Sequence, residues 1–233
     1  MCLHGAADLR QRLECSSNYR GAVADVRLFS AVPAPPVLGT RMILDLVRHA
    51  GNGRDEFLDG RSDPPQLARL PQELVDAYAG QSWERVISSP RLRSLHTAMA
   101  LATPRALDVE ADEEWEELDF GDWDGQSLFD LPEDALAAFH ADPHGFPPPH
   151  GESWGHFERR IARALDRLLD DDDPAPTVVV SHGGPLRMVL SQVCGLPMSL
   201  CWALRIDHGT RLRVWVERSE AGLVGELLEL QQP

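Results

Sequence analysis

Residues 177–180 read Thr-Val-Val-Val, four β-branched residues in a row with no alternation between polar and apolar positions. A strand that is apolar toward both faces has to be covered on both, which is the habit of parallel sheets flanked by helices. Ser181-His182-Gly183-Gly184-Pro185 then closes the run with turn residues. Two further runs have the same form. Met42-Ile43-Leu44 and Leu46-Val47, interrupted by Asp45, end at Arg48-His49-Ala50 ahead of Gly51-Asn52-Gly53, and Trp83–Ser88 ends at Ser89-Pro90.

Between and after these strands the pattern is helical. Residues 66–79 carry Leu67, Leu70, Leu74, Val75 and Tyr78 at near-helical spacing. Ser89 as N-cap and Pro90 at the first helical position predict a helix that ends at Thr103-Pro104. A short strand is expected over 105–110, a helix over 126–140, and a Pro/Gly loop over 141–151. From Ser153 the apolar residues Trp154, Phe157, Ile161, Leu165, Leu168 and Leu169 recur at three and four residues, so one helix face is buried. That helix stops at Asp170–Asp173 and Pro174; another runs from Pro185 to Val193, and late strands are expected near 210–217 and 222–229. Strands alternating with helices predict an α/β fold, a three-layer α/β/α sandwich with a mostly parallel central sheet.

Residues 1–41 sustain no periodic pattern, hold Cys2 and Cys15, and run through the Pro-rich piece 33–36. We expect them to be an N-terminal extension, disordered or a mis-called start with Met42 as the true one, and 42–233 to be the functional domain. The formal net charge of -15 argues against nucleic acid and anionic membrane as partners, so an anionic substrate needs a local arginine cluster. The four cysteines form no CxxC pair and no disulfide framework, and no transmembrane run or signal peptide core is present, which points to a reducing, cytoplasmic setting. His140, His144, His150 and His156 lie close in sequence, but Pro143 and Pro147–Pro149 break the helix that a metal pair would need, and a solvated loop is expected. No metal and no cofactor is expected.

If the three apolar strands share one parallel sheet, their carboxyl ends face one crevice, where α/β sheets bind ligands. Arg48, His49, Ser88, Ser89, His182 and the arginines after Pro90 then converge. The helices opening at Pro90 and Pro185 are expected to aim their free N–H groups at the same place, which favours an anion.

Four stretches in this order resemble the histidine phosphatase superfamily, the phosphoglycerate mutase-like group. LVRHA (46–50) resembles its opening RHG motif, with alanine in place of glycine; SSPRLRSLHTA (88–98) its SSP-x-x-R helix; ELDFGDWDG (117–125) its E-x-x-F/Y-G segment; VVVSHGGPLR (178–187) its second-histidine motif. GRSDPP (60–65), DFGDWDG and FPPPHGES (146–153) bring it nearest the α-ribazole phosphatase type, which carries an expectation of cobalamin biosynthesis.

The resemblance implies a metal-independent phosphomonoesterase acting through a phosphohistidine on a small phosphorylated metabolite, with α-ribazole 5′-phosphate as the best single substrate. His49 is then the nucleophile, kept neutral by nearby arginines. Arg48 and Arg93 clamp the phosphoryl oxygens. Arg93 follows from the SSP-x-x-R spacing, and Arg91 is its rival. His182 donates to the phosphoryl group. Glu117 protonates the leaving oxygen and then activates water. Asn52 is expected to bond the phosphate, and Arg61 and Glu152 to reach the distal part of the substrate. A phosphoglycerate mutase-type phosphoryl transferase and a non-catalytic phosphate-binding module are the alternatives. A monomer or homodimer is compatible with all three.

Overall fold

The computed structural model describes residues 41–64, 72–170, 174–220 and 222–232. The expected N-terminal extension lies outside the described residues except for Arg41, which opens the first strand.

One six-stranded sheet carries the molecule. In chain order its strands are β1 (Arg41–Arg48), β2 (Arg85–Ser88), β3 (Val109–Ala111), β4 (Thr177–Ser181), β5 (Arg211–Ser219) and β6 (Gly222–Gln231). In space they run β3-β2-β4-β1-β5-β6. The pairs β2–β3, β2–β4 and β1–β4 are parallel, and β1–β5 and β5–β6 antiparallel. The two apolar runs ending in histidines are thus neighbours, with Arg48 level with Ser181, and β2 flanks β4 with Ser88 level with Val180.

Every residue of β4 is buried, because successive side chains enter opposite cores. Val179 joins Leu44, Leu46, Leu165 and Leu190 on one face, under α4 (Trp154–Leu169) and α5 (Gly183–Cys194). Val178 and Val180 join Val47, Val86, Tyr78 and Leu101 on the other, under α1 (Gln72–Ala77) and α2 (Leu92–Ala102). Helices on both faces complete the three-layer α/β/α sandwich. Asp45, the polar break in β1, is buried but accepts from Trp83 Nε1 at 2.6 Å, Arg211 Nη1 at 2.9 Å and Arg213 Nε at 2.9 Å. A buried carboxylate is tolerated on those terms.

The long helix begins as expected: Ser153 caps α4 by accepting from the His156 N–H. Elsewhere several boundaries differ from the expectation. Residues 72–77 of the predicted 66–79 helix are helical, while 65–71 lie outside the described residues. The second helix starts at Leu92, not Pro90, because its first N–H is taken by Asp63 Oδ2 at 2.7 Å rather than by Ser89. Pro104 does not stop the chain's coiling, since Thr103–Arg105 form one turn of 3-10 helix. The helix predicted over 126–140 is confined to α3 (Glu133–Ala141), because Ser127 pairs with Phe57 in a β-bridge. The helix after His182 starts at Gly183, two residues early, and a short helix α6 (Met198–Ala203) follows it without having been anticipated. No described helix is long and apolar enough to cross a membrane.

Candidate active site

The strand ends of β1 and β4 deliver His49 and His182 to one spot. Their ring centroids are 5.1 Å apart and both side chains are buried. A cavity of about 220 Å³ opens there, lined among others by Arg48, His49, Asn52, Arg93, Glu117 and His182.

The hydrogen bonds settle which nitrogen of each imidazole carries a proton. His49 Nδ1 lies 2.8 Å from the carbonyl oxygen of Ala50. A carbonyl only accepts, so Nδ1 holds the proton and Nε2 keeps its lone pair. Burial, with the charges of His208, Arg93 and Arg48 against it, holds the His49 pKa well below the usual imidazole range, so the ring is neutral near pH 7. The carbonyl bond to Ala50 opposes this shift and is outweighed.

His182 has the reverse tautomer. Its Nδ1 accepts from Arg93 Nε at 3.2 Å, and its Nε2–H donates to Ser89 Oγ at 2.8 Å. Its pKa is also well below the ordinary value, by burial first and then by Arg93 and His49. Arg93 is buried at the start of α2, and its terminal nitrogens donate to the carbonyls of Asp59, Gly60 and Ser62. Arg91 turns away: it pairs with Glu116 at 2.8 Å and donates to the Arg61 carbonyl at 2.8 Å, and it does not line the cavity. The geometry therefore separates the two rivals.

Arg48 donates from Nη1 to the Ile206 carbonyl at 2.6 Å and from Nη2 to His208 Nε2 at 3.1 Å, leaving its Nε–H buried without a partner. His208 in turn bonds Asp55 through Nδ1 at 2.9 Å. Burial and the charge of Arg48 bring the His208 pKa down to about 4. His208 stands 4.9 Å from the ring of His49 and is a third imidazole in the cavity wall that sequence reasoning missed.

Glu117 is held in place by the backbone. Its Oε2 accepts from the Gly184 N–H and its Oε1 from the Leu118 N–H, each at 3.0 Å. A Cβ at Gly184 would overlap Glu117 Oε1 and crowd Phe157, so any side chain there would push the carboxylate out of this position. The segment carrying Glu117 is clamped from behind by Arg160, buried on α4, which donates to the carbonyls of Glu114, Glu116 and Glu117 at 2.7–2.9 Å. The sequence holds one clue to this: Arg160 occupies a core-facing position next to Ile161, where a charge needs a buried partner.

The remaining expected contacts divide. Asn52 lines the cavity, where its Oδ1 accepts from the Arg54 N–H at 3.2 Å. Arg61 and Glu152 do not line it. Arg61 is exposed and pairs with Asp119 at 2.8 Å, and Glu152 is engaged by Arg160 through both carboxylate oxygens, at 2.8 and 2.9 Å. The helix N-termini are also used differently from the expectation, since Leu92 N–H and Gly184 N–H are bonded to the protein's own carboxylates, Asp63 and Glu117. His144, His150 and His156 pair separately with Glu158, Asp122 and Glu152, and no group of three metal-binding side chains occurs among the described residues.

Comparison with known proteins gives this geometry a family. The model of the histidine phosphatase superfamily (branch 1) matches residues 46–226. The chain is 32% identical over 176 residues to the adenosylcobalamin/alpha-ribazole phosphatase of Escherichia coli strain K12, covering 72% of this chain and 87% of that one. It is 27% identical over 176 residues to phosphoserine phosphatase 1 of Hydrogenobacter thermophilus, covering 72% and 83% of the two chains. The crystal structure of the alpha-ribazole phosphatase from Shigella flexneri superposes with a TM-score of 0.66 at 28% identity, over 80% of this chain and 96% of that one. A sheet that sets two histidines side by side among buried arginines, and a family match spanning that sheet, lead to one assignment: the chain belongs to branch 1 of the histidine phosphatase superfamily and is a phosphoric monoester hydrolase.

Proposed function

We propose that the protein is a metal-independent phosphomonoesterase that forms a phosphohistidine at His49, with α-ribazole 5′-phosphate as its substrate. The observation that carries this reading is the His49 tautomer: a neutral imidazole with its proton fixed on Nδ1 and its Nε2 lone pair left for attack.

In the first step Nε2 of His49 attacks phosphorus as the ester P–O bond breaks, and the leaving oxygen takes a proton from the Glu117 carboxyl group. In the second, the Glu117 carboxylate takes a proton from water as the new P–O bond forms and the N–P bond breaks, which returns His49 and releases inorganic phosphate. Arg48 and Arg93 supply positive charge to the phosphoryl oxygens, and Asn52 a hydrogen bond. His182 holds Arg93 through Nδ1 and donates its Nε2–H, handed over from Ser89, to the phosphoryl group. Arg61 and Glu152 act at a remove, Arg61 tying down Asp119 and Glu152 anchoring the Arg160 clamp behind Glu117.

The 32% identity to the Escherichia coli alpha-ribazole phosphatase supports the substrate, and the 27% identity to a phosphoserine phosphatase of Hydrogenobacter thermophilus supplies a competing one. A panel of phosphorylated metabolites, assayed with and without chelator, tests the reading. It is expected to give the highest kcat/KM on α-ribazole 5′-phosphate, undiminished by chelator. Preference for phosphoserine, transfer to and from 3-phosphoglycerate, or loss of activity with chelator would each contradict it.

A further inference from the structure

The loop that holds Arg93 is itself held from its other side. Asp59, Gly60 and Ser62 offer their carbonyls to the guanidinium. The Asp124 carboxylate accepts from the backbone N–H groups of Gly60, Arg61 and Ser62 at 2.7, 3.0 and 2.8 Å, and from Ser62 Oγ at 2.6 Å.

These bonds pair off peptide by peptide. The unit joining Asp59 to Gly60 points its N–H at Asp124 Oδ1 and its carbonyl at Arg93 Nη2, and the unit joining Gly60 to Arg61 does the same. The next unit runs from Asp124 Oδ2 to Arg91 Nη1. The peptide dipoles thus lie between an anion at their N–H ends and cations at their carbonyl ends, and each charge favours the orientation that the other needs. Because the unit is planar, a carbonyl cannot turn away from Arg93 without withdrawing its N–H from Asp124.

The loop is also strapped to the segment that carries Asp124. Gly125 N–H donates to the Leu58 carbonyl at 2.7 Å, and Leu58 N–H to the Gln126 carbonyl at 3.0 Å. A Cβ at Gly60 would run into the Leu118 carbonyl, so the two backbones lie directly against each other. Asp124 does not line the cavity, whereas Arg93 does.

We propose that Asp124 is a positioning residue for Arg93: its carboxylate sets the peptides that aim the guanidinium at the phosphoryl group. The segment 117–124 then carries the proton donor at one end and the support of the phosphate clamp at the other. The assignment rests on the reading that Arg93 meets the phosphoryl group.

A double-mutant cycle with Arg93→Lys tests it, read as kcat/KM on 4-nitrophenyl phosphate. That leaving group departs without a proton, and kcat/KM ends at the first irreversible step, so a displaced Glu117 does not enter. Asp124→Asn keeps the shape but turns an acceptor into a donor. It is expected to lower kcat/KM at least about tenfold in the wild type. In Arg93→Lys it is expected to change kcat/KM by no more than about twofold, because the group it positions is already gone. Asp124→Glu, which retains both acceptors, is expected to recover part of the loss. Should the amide not fold, the cycle is run with Asp124→Glu, whose smaller loss must likewise vanish in Arg93→Lys. Full activity of the Asp124 variant, or an equal loss with and without the Arg93 guanidinium, overturns the assignment and leaves Arg93 at the phosphate. Undiminished kcat/KM in Arg93→Lys alone overturns the phosphate reading together with it.

Discussion

The backbone N–H of Gly184 donates to Glu117 Oε2 at 3.0 Å, so the first turn of α5 sets the position of a carboxylate 67 residues earlier in the chain. The same turn follows directly on His182, and the second histidine and the carboxylate are therefore registered by one peptide segment. Gly184→Ala should push the Glu117 carboxylate aside. A displacement of that order predicts a fall in kcat of about 100-fold with the circular dichroism spectrum retained. Unchanged kcat would show that the carboxylate's position does not matter.

Arg93 and Arg91 are two residues apart and are expected to behave differently. Arg93→Lys removes the fork that bonds His182 and three carbonyls, and should lower kcat/KM by about 100-fold or more. Arg91→Ala removes a partly exposed pair with Glu116, and should change kcat/KM by no more than about threefold. Steady-state kinetics on the two variants checks the assignment.

Arg160→Met leaves the carbonyls of Glu114, Glu116 and Glu117 without their Arg160 donor and the Glu152 carboxylate without its buried cation. Breaking a buried pair of this kind costs about 3–5 kcal/mol, which urea denaturation would register. A loss of kcat larger than any change in KM is expected alongside it, because the clamp sets Glu117 rather than the phosphate contacts.

The depressed histidines make two statements about pH. An imidazole with a lowered pKa stays neutral as pH falls through its ordinary value of 6.5, so phosphoryl transfer to His49, followed by rapid quench, should still be level near about pH 5.5. A fall with its midpoint at 6.5 would contradict the buried, neutral nucleophile. Stability runs the other way. Once unfolded, His49, His182 and His208 bind protons below about pH 6.5, while the folded protein binds them only at lower pH, so their contribution to stability is fully present above 6.5 and is lost as pH drops toward 4. Melting temperatures measured across that window should fall, and less steeply for His208→Gln.

Much of this site was legible in the chain because its main parts sit at the ends of local apolar runs. Arg48, His49 and His182 follow strands that announce themselves, and parallel pairing does the rest. What was not legible acts across long separations. Asp63 caps α2 from 29 residues away, His208 reaches Arg48 from 160, and Arg160 holds the Glu117 carbonyl from 43. No local pattern encodes such contacts. The resemblance implies Arg61 and Glu152 at the substrate, yet each is engaged by an oppositely charged side chain, Asp119 and Arg160, that only the folded chain brings within reach.

The central claim is that the phosphoryl group passes through His49 Nε2. Rapid quenching of the protein with a radiolabelled phosphate ester tests it most directly. The account predicts an acid-labile, base-stable label on the peptide containing His49, absent from His49→Ala along with turnover. A label on any other residue, or wild-type turnover by His49→Ala, would contradict it.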